Sequence, residues 1–146
     1  MTSQDIAANN RCNNVATLRK CCVNKRIGDS RTALHLAAEM DCVECMTRLL
    51  AANVSIATIN GADETPLHIA AKFNSCNALR LLCQWHSNKD TVNGSKARQF
   101  AYVNRWMRSG ETALHYSAST GCTQCIRSLL EIGADATLRD GEGHTP

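Results

Sequence analysis

The sequence predicts an all-α fold assembled from repeated helical units, and three observations lead there. Hydrophobic residues make up 44% of the 146 residues but aromatics only 4%, so the core must be built from Leu, Ala, Val, Ile and Cys. Those side chains suit closely approaching helices better than an aromatic-rich sandwich. A Thr-x-Leu-His theme recurs as Thr32-Ala33-Leu34-His35, Thr65-Pro66-Leu67-His68 and Thr112-Ala113-Leu114-His115, and Thr145-Pro146 opens it again. The threonines lie 33, 47 and 33 residues apart, a period of 33 with one excess of 14. Within each copy, apolar residues fall at helical spacing: Leu34 with Ala37-Ala38, Leu67 with Ala70-Ala71, Leu114 with Ala118, then Leu49-Leu50, Leu81-Leu82 and Leu129-Leu130.

This pattern resembles the ankyrin repeat, with its T-P-L-H-x-A opening, Gly-His-like turn, apolar second helix ending in Leu-Leu and G-A-D-x hairpin. The resemblance covers about residues 12–146. It implies an ankyrin-repeat solenoid of stacked helix-turn-helix units with hairpin fingers along one edge. The expected division is a free N-terminus at 1–11, a degenerate capping repeat at 12–28, and repeat one at 29–61. Repeat two follows at 62–94, then an insertion at 95–108, repeat three at 109–141 and the start of a fourth at 142–146.

Each element has a physical reason. In the cap, Val15, Leu18, Cys22 and Val23 face repeat one, and Arg19, Lys20, Lys25 and Arg26 face water. Thr32, Thr65 and Thr112 stand where helices begin and cap free amides, with Pro66 in a first turn. Gly133-Ala134-Asp135 supplies a residue able to take positive φ after the last helix, where repeat one offers Ala52-Asn53. Repeat two has Trp85-His86-Ser87 there, so its hairpin departs from the pattern. Because residues 142–146 stop before a helix can form, the chain reads as a fragment, and extending it through a further repeat is expected to raise its midpoint temperature.

Composition excludes several functions. A net charge of +3 is too low for a general polyanion binder, and no window approaches 18 consecutive apolar residues. Residues 1–11 lack the apolar core of a signal peptide. Nine cysteines cannot all pair, which favours reduced thiols in a cytoplasmic or nuclear setting and leaves the triplets Asn53-Val54-Ser55 and Asn93-Gly94-Ser95 unglycosylated.

Two Cys-x-x-Cys pairs, Cys42/Cys45 and Cys122/Cys125, have the spacing of zinc ligands. Both follow their threonine by 10 and 13 residues, so they occupy equivalent places with repeat two between them. At ~10 Å per stacked neighbour they are about 20 Å apart, too far to share an ion. The competing assignment is small apolar packing, and no zinc is expected. His35, His68 and His115 recur with the period, as structural residues do and catalytic ones have no reason to. Imidazoles bonding adjacent repeats and turns are the expectation, with no catalytic residue, cofactor or metal ligand.

Two surfaces are candidates for a partner. The insertion SKARQFAYVNRWMR carries Lys96, Arg98, Arg105 and Arg108 with no acid, interleaved with Phe100, Tyr102, Trp106 and Met107. If helical, Phe100, Val103, Trp106 and Met107 share one face, as in a basic amphipathic segment; the alternative is a loop tucking its aromatics onto the repeats. The resemblance further implies an inner groove at Glu39, Met40, Lys72, Phe73, Ser119 and Thr120, and finger tips near Asn60, Asp63 and Arg139. Together with Arg98, Arg105, Trp106 and Arg108 these are the expected contacts. The function implied is a non-catalytic protein-interaction module, part of a larger signalling or scaffolding protein. The alternative is an ankyrin-type inhibitory segment acting on an enzyme or transcription factor. The partner expected is another protein, with no nucleic acid, membrane insertion or small-molecule substrate.

Overall fold

The computed structural model describes residues 26–89 and 96–146, so of the expected cap only residues 26–28 are seen. The described residues are helical: α1 Ala33–Glu39, α2 Val43–Ala51, α3 Pro66–Lys72, α4 Cys76–Lys89, α5 Lys96–Val103, α6 Ala113–Thr120 and α7 Thr123–Glu131. No named strand occurs among them; an isolated bridge joins Ile27 to Arg31. Helices α1/α2, α3/α4 and α6/α7 form antiparallel pairs, first helices packing on first helices and second on second. The core is a continuous aliphatic layer through Leu34, Met46, Leu49, Leu67, Ile69, Leu79, Leu82, Leu114 and Leu129.

Each first helix starts at an extended threonine, Thr32, Thr65 or Thr112, closed by a capping box whose third residue is a histidine rather than Glu or Gln. The backbone N–H of each threonine donates to the Nδ1 of His35, His68 or His115 at 3.1 to 3.2 Å. A backbone N–H only donates, so Nδ1 must be the acceptor. The other nitrogen, Nε2, meets a main-chain carbonyl: Glu64 at 2.9 Å, Arg105 at 2.8 Å and His144 at 3.0 Å respectively. A carbonyl only accepts, so Nε2 carries the proton. Each imidazole thereby ties its own helix start to the segment that leads into the following repeat.

The link is regular at both ends and irregular in the middle. Glu64 and His144 each precede the next threonine, whereas Arg105 lies seven residues before Thr112. The regular segments are shaped by side chains that accept two backbone N–H groups, Asn60 from Ala62 and Glu64, and Asp140 from Glu142 and His144. Met107 occupies the corresponding position before repeat three, with an apolar buried side chain in place of the carboxamide or carboxylate acceptor. Successive fingers are stitched by main-chain bonds, Gly61 N–H to the Asp29 carbonyl at 2.6 Å and Arg108 N–H to the Ala62 carbonyl at 3.2 Å.

The excess of 14 residues is partly carried by α4, which has 14 residues where α2 and α7 have nine. The rest includes α5, docked through buried Tyr102 and Val103. Asn104 then clamps the insertion to repeat three, its amide donating to the Gly133 carbonyl at 3.1 Å while its oxygen accepts from Asp135 N–H at 2.6 Å.

One expected core position is overturned. Ala118 is exposed, although Ala38 and Ala71 at the same register are fully buried. Leu130 repeats this, 46% exposed where its counterpart Leu50 is 1% exposed. Both lie on the outer side of repeat three, where no further helix packs among the described residues; Ser117, fully buried, faces inward instead.

Two outcomes follow from these contacts. Burial holds the His68 pKa near 4, against 6.5 when unfolded, despite the bond to the Arg105 carbonyl that favours its charged form. The unfolded chain therefore takes up a proton first. The contribution is full above about pH 6.5 and falls by on the order of 3 kcal/mol as pH drops toward 4, levelling below it. Imidazole nitrogen shifts should accordingly show His68 still neutral with Nε2 protonated at about pH 5.5, where a free imidazole is mostly charged.

Gly110 and Gly133 both have positive φ, +83° and +99°, but a Cβ on Gly110 would sit 2.6 Å from the Gly141 nitrogen while one on Gly133 meets nothing within 4 Å. Urea unfolding should show G133A losing about 1 kcal/mol and G110A clearly more.

Candidate recognition surface

The residues expected to contact a partner fall into three groups. Met40, Phe73 and Thr120 share one register position at the ends of α1, α3 and α6, and are exposed, Met40 by 50% and Phe73 by 44%. Aligning them is the left-handed residue that follows each: Asp41 at φ 53°, Asn74 at 58° and Gly121 at 72°. Arg98, Arg105, Trp106 and Arg108 form the second group, all exposed on or just after α5, as is Phe100, which was not among the expected contacts.

The amphipathic face expected of the insertion is only half realised. Val103 and Met107 are buried, but Phe100 and Trp106 stand 50% and 56% exposed, and Tyr102 packs in their place. The helix stops at Val103, so Trp106 never enters the helical register that the expectation assumed. The result is two large exposed aromatic side chains and three arginines on one segment, fixed at its base by Asn104 and the Arg105 carbonyl. Arg108 Nε also pairs with Asp63 Oδ2 at 3.3 Å.

The third group serves the scaffold. Asn60, expected at a finger tip, is 6% exposed, and its amide donates to Glu64 Oε2 at 2.8 Å while its oxygen accepts two backbone bonds. Glu64 is itself buried and gathers Lys72 Nζ and the Tyr116 hydroxyl, each 3.2 Å from Oε1. Burial pushes its carboxyl pKa up, but bonds from Asn60, Lys72 and Tyr116 outweigh this and hold it below the ordinary range. Lys72 also lies 5.7 Å from the Tyr116 ring centroid. Glu39 pairs with Arg31 at 2.7 Å, Arg139 donates to the Gly143 carbonyl at 3.2 Å, and Ser119 is exposed. Sequence spacing could not distinguish these committed polar groups from free ones.

Both ring nitrogens of His35, His68 and His115 are engaged within the stack. The cysteines are arranged differently from expectation. Cys42 and Cys45 are joined as a disulfide, a departure from thiols throughout; Cys42 caps α2 and Cys45 lies in its first turn, bringing the two together. Cys122 and Cys125 hold the same register in repeat three but meet Cys76, at the start of α4: its Sγ is 2.7 Å from that of Cys122 and 3.1 Å from that of Cys125. Cys76 follows its threonine by 11 residues and so falls outside the 10-and-13 spacing that singled out the other pairs. Cys83 is buried and in no disulfide, its thiol pKa pushed up to about 12 by burial.

No helix among the described residues is long and apolar enough to cross a membrane. Comparison with known proteins agrees with the repeat architecture. Family models for ankyrin repeats match residues 5–93, as a three-copy array, and residues 100–146, as a many-copy array. Among curated proteins, the chain is 31% identical over 116 residues to the B-cell lymphoma 3 protein homolog of Mus musculus, covering 79% of this chain and 23% of that protein. It is 28% identical to the transient receptor potential cation channel subfamily A member 1 homolog of Caenorhabditis elegans, covering 88% of this chain and 10% of that protein. It is also 27% identical to the tyrosine-protein kinase HTK16 of Hydra vulgaris, over 85% of this chain and 15% of that protein. It thus spans between a tenth and a quarter of these relatives. The shared capping boxes, the period of 33 and both family matches give one conclusion: the chain belongs to the ankyrin-repeat family.

Proposed function

We propose that the chain recognises another protein chiefly through its insertion, with Met40 and Phe73 as a second area of contact, and that it does no chemistry on that partner. Ankyrin repeats are protein-interaction modules, and the family is generally non-catalytic. The observation that carries the reading is the exposure of Phe100 and Trp106 beside Arg98, Arg105 and Arg108 on an anchored segment. Aromatic and arginine side chains are the commonest energetic centres of protein interfaces, and a fixed base lowers the ordering cost of using them. The excess of arginine without a nearby insertion acid favours an acidic partner surface.

The printed names of relatives include a cation channel homolog and a tyrosine kinase, of which this chain matches 10% and 15%. That range supports a module serving a longer signalling or scaffolding protein. An inhibitory role toward an enzyme or transcription factor would use the same surface.

The test is capture of partners from a cell extract, followed by titration of the purified pair. Changing Arg98, Arg105 and Arg108 together to Glu should weaken binding more than about tenfold, with helical circular dichroism unchanged. Full retention would remove the insertion from the interface, and loss only in a Met40→Ser, Phe73→Ser variant would move recognition to the helix ends.

A further inference from the structure

We propose that Cys76, Cys122 and Cys125 form a zinc-binding site that bridges repeats two and three. All three sulfur atoms lie within 4.8 Å of one another. The Cys76 Sγ lies 2.7 Å from that of Cys122 and 3.1 Å from that of Cys125, so one ion could reach all three. Zinc–sulfur bonds of ~2.3 Å set thiolates about 3.8 Å apart around a tetrahedral ion, an expansion of about 1 Å that side-chain rotation supplies.

Cys76 opens α4, Cys122 caps α7, and Cys125 lies in the first turn of α7, so the cluster sits between two helix N-termini. The Cys125 backbone N–H already donates to Cys122 Sγ at 3.2 Å. Cys125 is fully buried and Cys122 8% exposed, while Cys76 is half-buried and leaves one side of the cluster open. That open side gives the ion a fourth position for water. Binding would exchange three thiol protons for one divalent ion, converting Zn²⁺ and three neutral thiols into a tris-thiolate complex of charge −1 with release of three protons.

This reverses the expectation drawn from the two in-register pairs. They cannot share an ion, because α4 stands between α2 and α7. It is α4 itself that brings the missing thiol.

The experiment loads the fully reduced chain with zinc alone, removes excess ion by gel filtration, and measures bound metal, with cobalt(II) as the spectroscopic substitute. The expected result is about one zinc per chain, intense visible bands of tetrahedral thiolate-bound cobalt, and a raised midpoint temperature on adding zinc. Cys76→Ser, at a partly exposed position, should keep its helical circular dichroism and lose all three. The double variant Cys42→Ser, Cys45→Ser should keep them. No zinc retained by the reduced wild type, equal retention by C76S, or binding of copper(I) but not zinc would each overturn the site.

Discussion

A neutral imidazole with two opposite obligations holds this stack together. His35, His68 and His115 each accept from a backbone N–H in their own turn and donate to a carbonyl outside that turn. Only the tautomer protonated at Nε2 can do both. The first helices are seven or eight residues long, shorter than the ~12–15 at which an isolated helix becomes marginal in water. They exist because neighbours bury their apolar faces, and the histidine fixes the angle and distance at which that happens. The period of 33 expresses this dependence, since a helix start out of step would leave one of the two main-chain groups unbonded inside the core.

The same division of labour engages polar residues, Asn60 and Lys72 among them, that were expected at a partner surface. Glu64, Asn60, Lys72 and Tyr116 form one network that spans repeats one to three, with a buried carboxylate satisfied from three directions. A side chain so engaged has little freedom to meet a partner. The exposed aromatic and arginine residues of the insertion carry less of that burden, Arg108 pairing with Asp63 at the surface.

The repeat was legible because a capping box and its apolar followers recur with fixed spacing, and spacing is what a sequence displays. The N-cap threonines, the Leu and Ala core positions and the positive-φ residues Asn53 and Gly133 all follow from it. The cysteine cluster was not legible. Cys76 is out of register, and its meeting with Cys122 and Cys125 depends on the offset between adjacent helices, which no single-repeat pattern contains. The insertion was half legible for a related reason: its composition announced an unusual surface, but the end of α5 at Val103 decided which aromatics stayed in water. Ala118 shows the complementary limit, because burial at its position belongs to the neighbour and not to the residue.

The irregular bond from His68 to Arg105 has a consequence for how this chain can vary. By Arg105 the main chain has rejoined the stack, and repeat three runs from there with the same capping box as repeat one. Additions or deletions upstream of that point are absorbed before they reach the next helix start, so phase errors do not propagate along the array. The joint acts as a length buffer: a site where a repeat protein can acquire new surface by insertion while its one-dimensional order is preserved on either side.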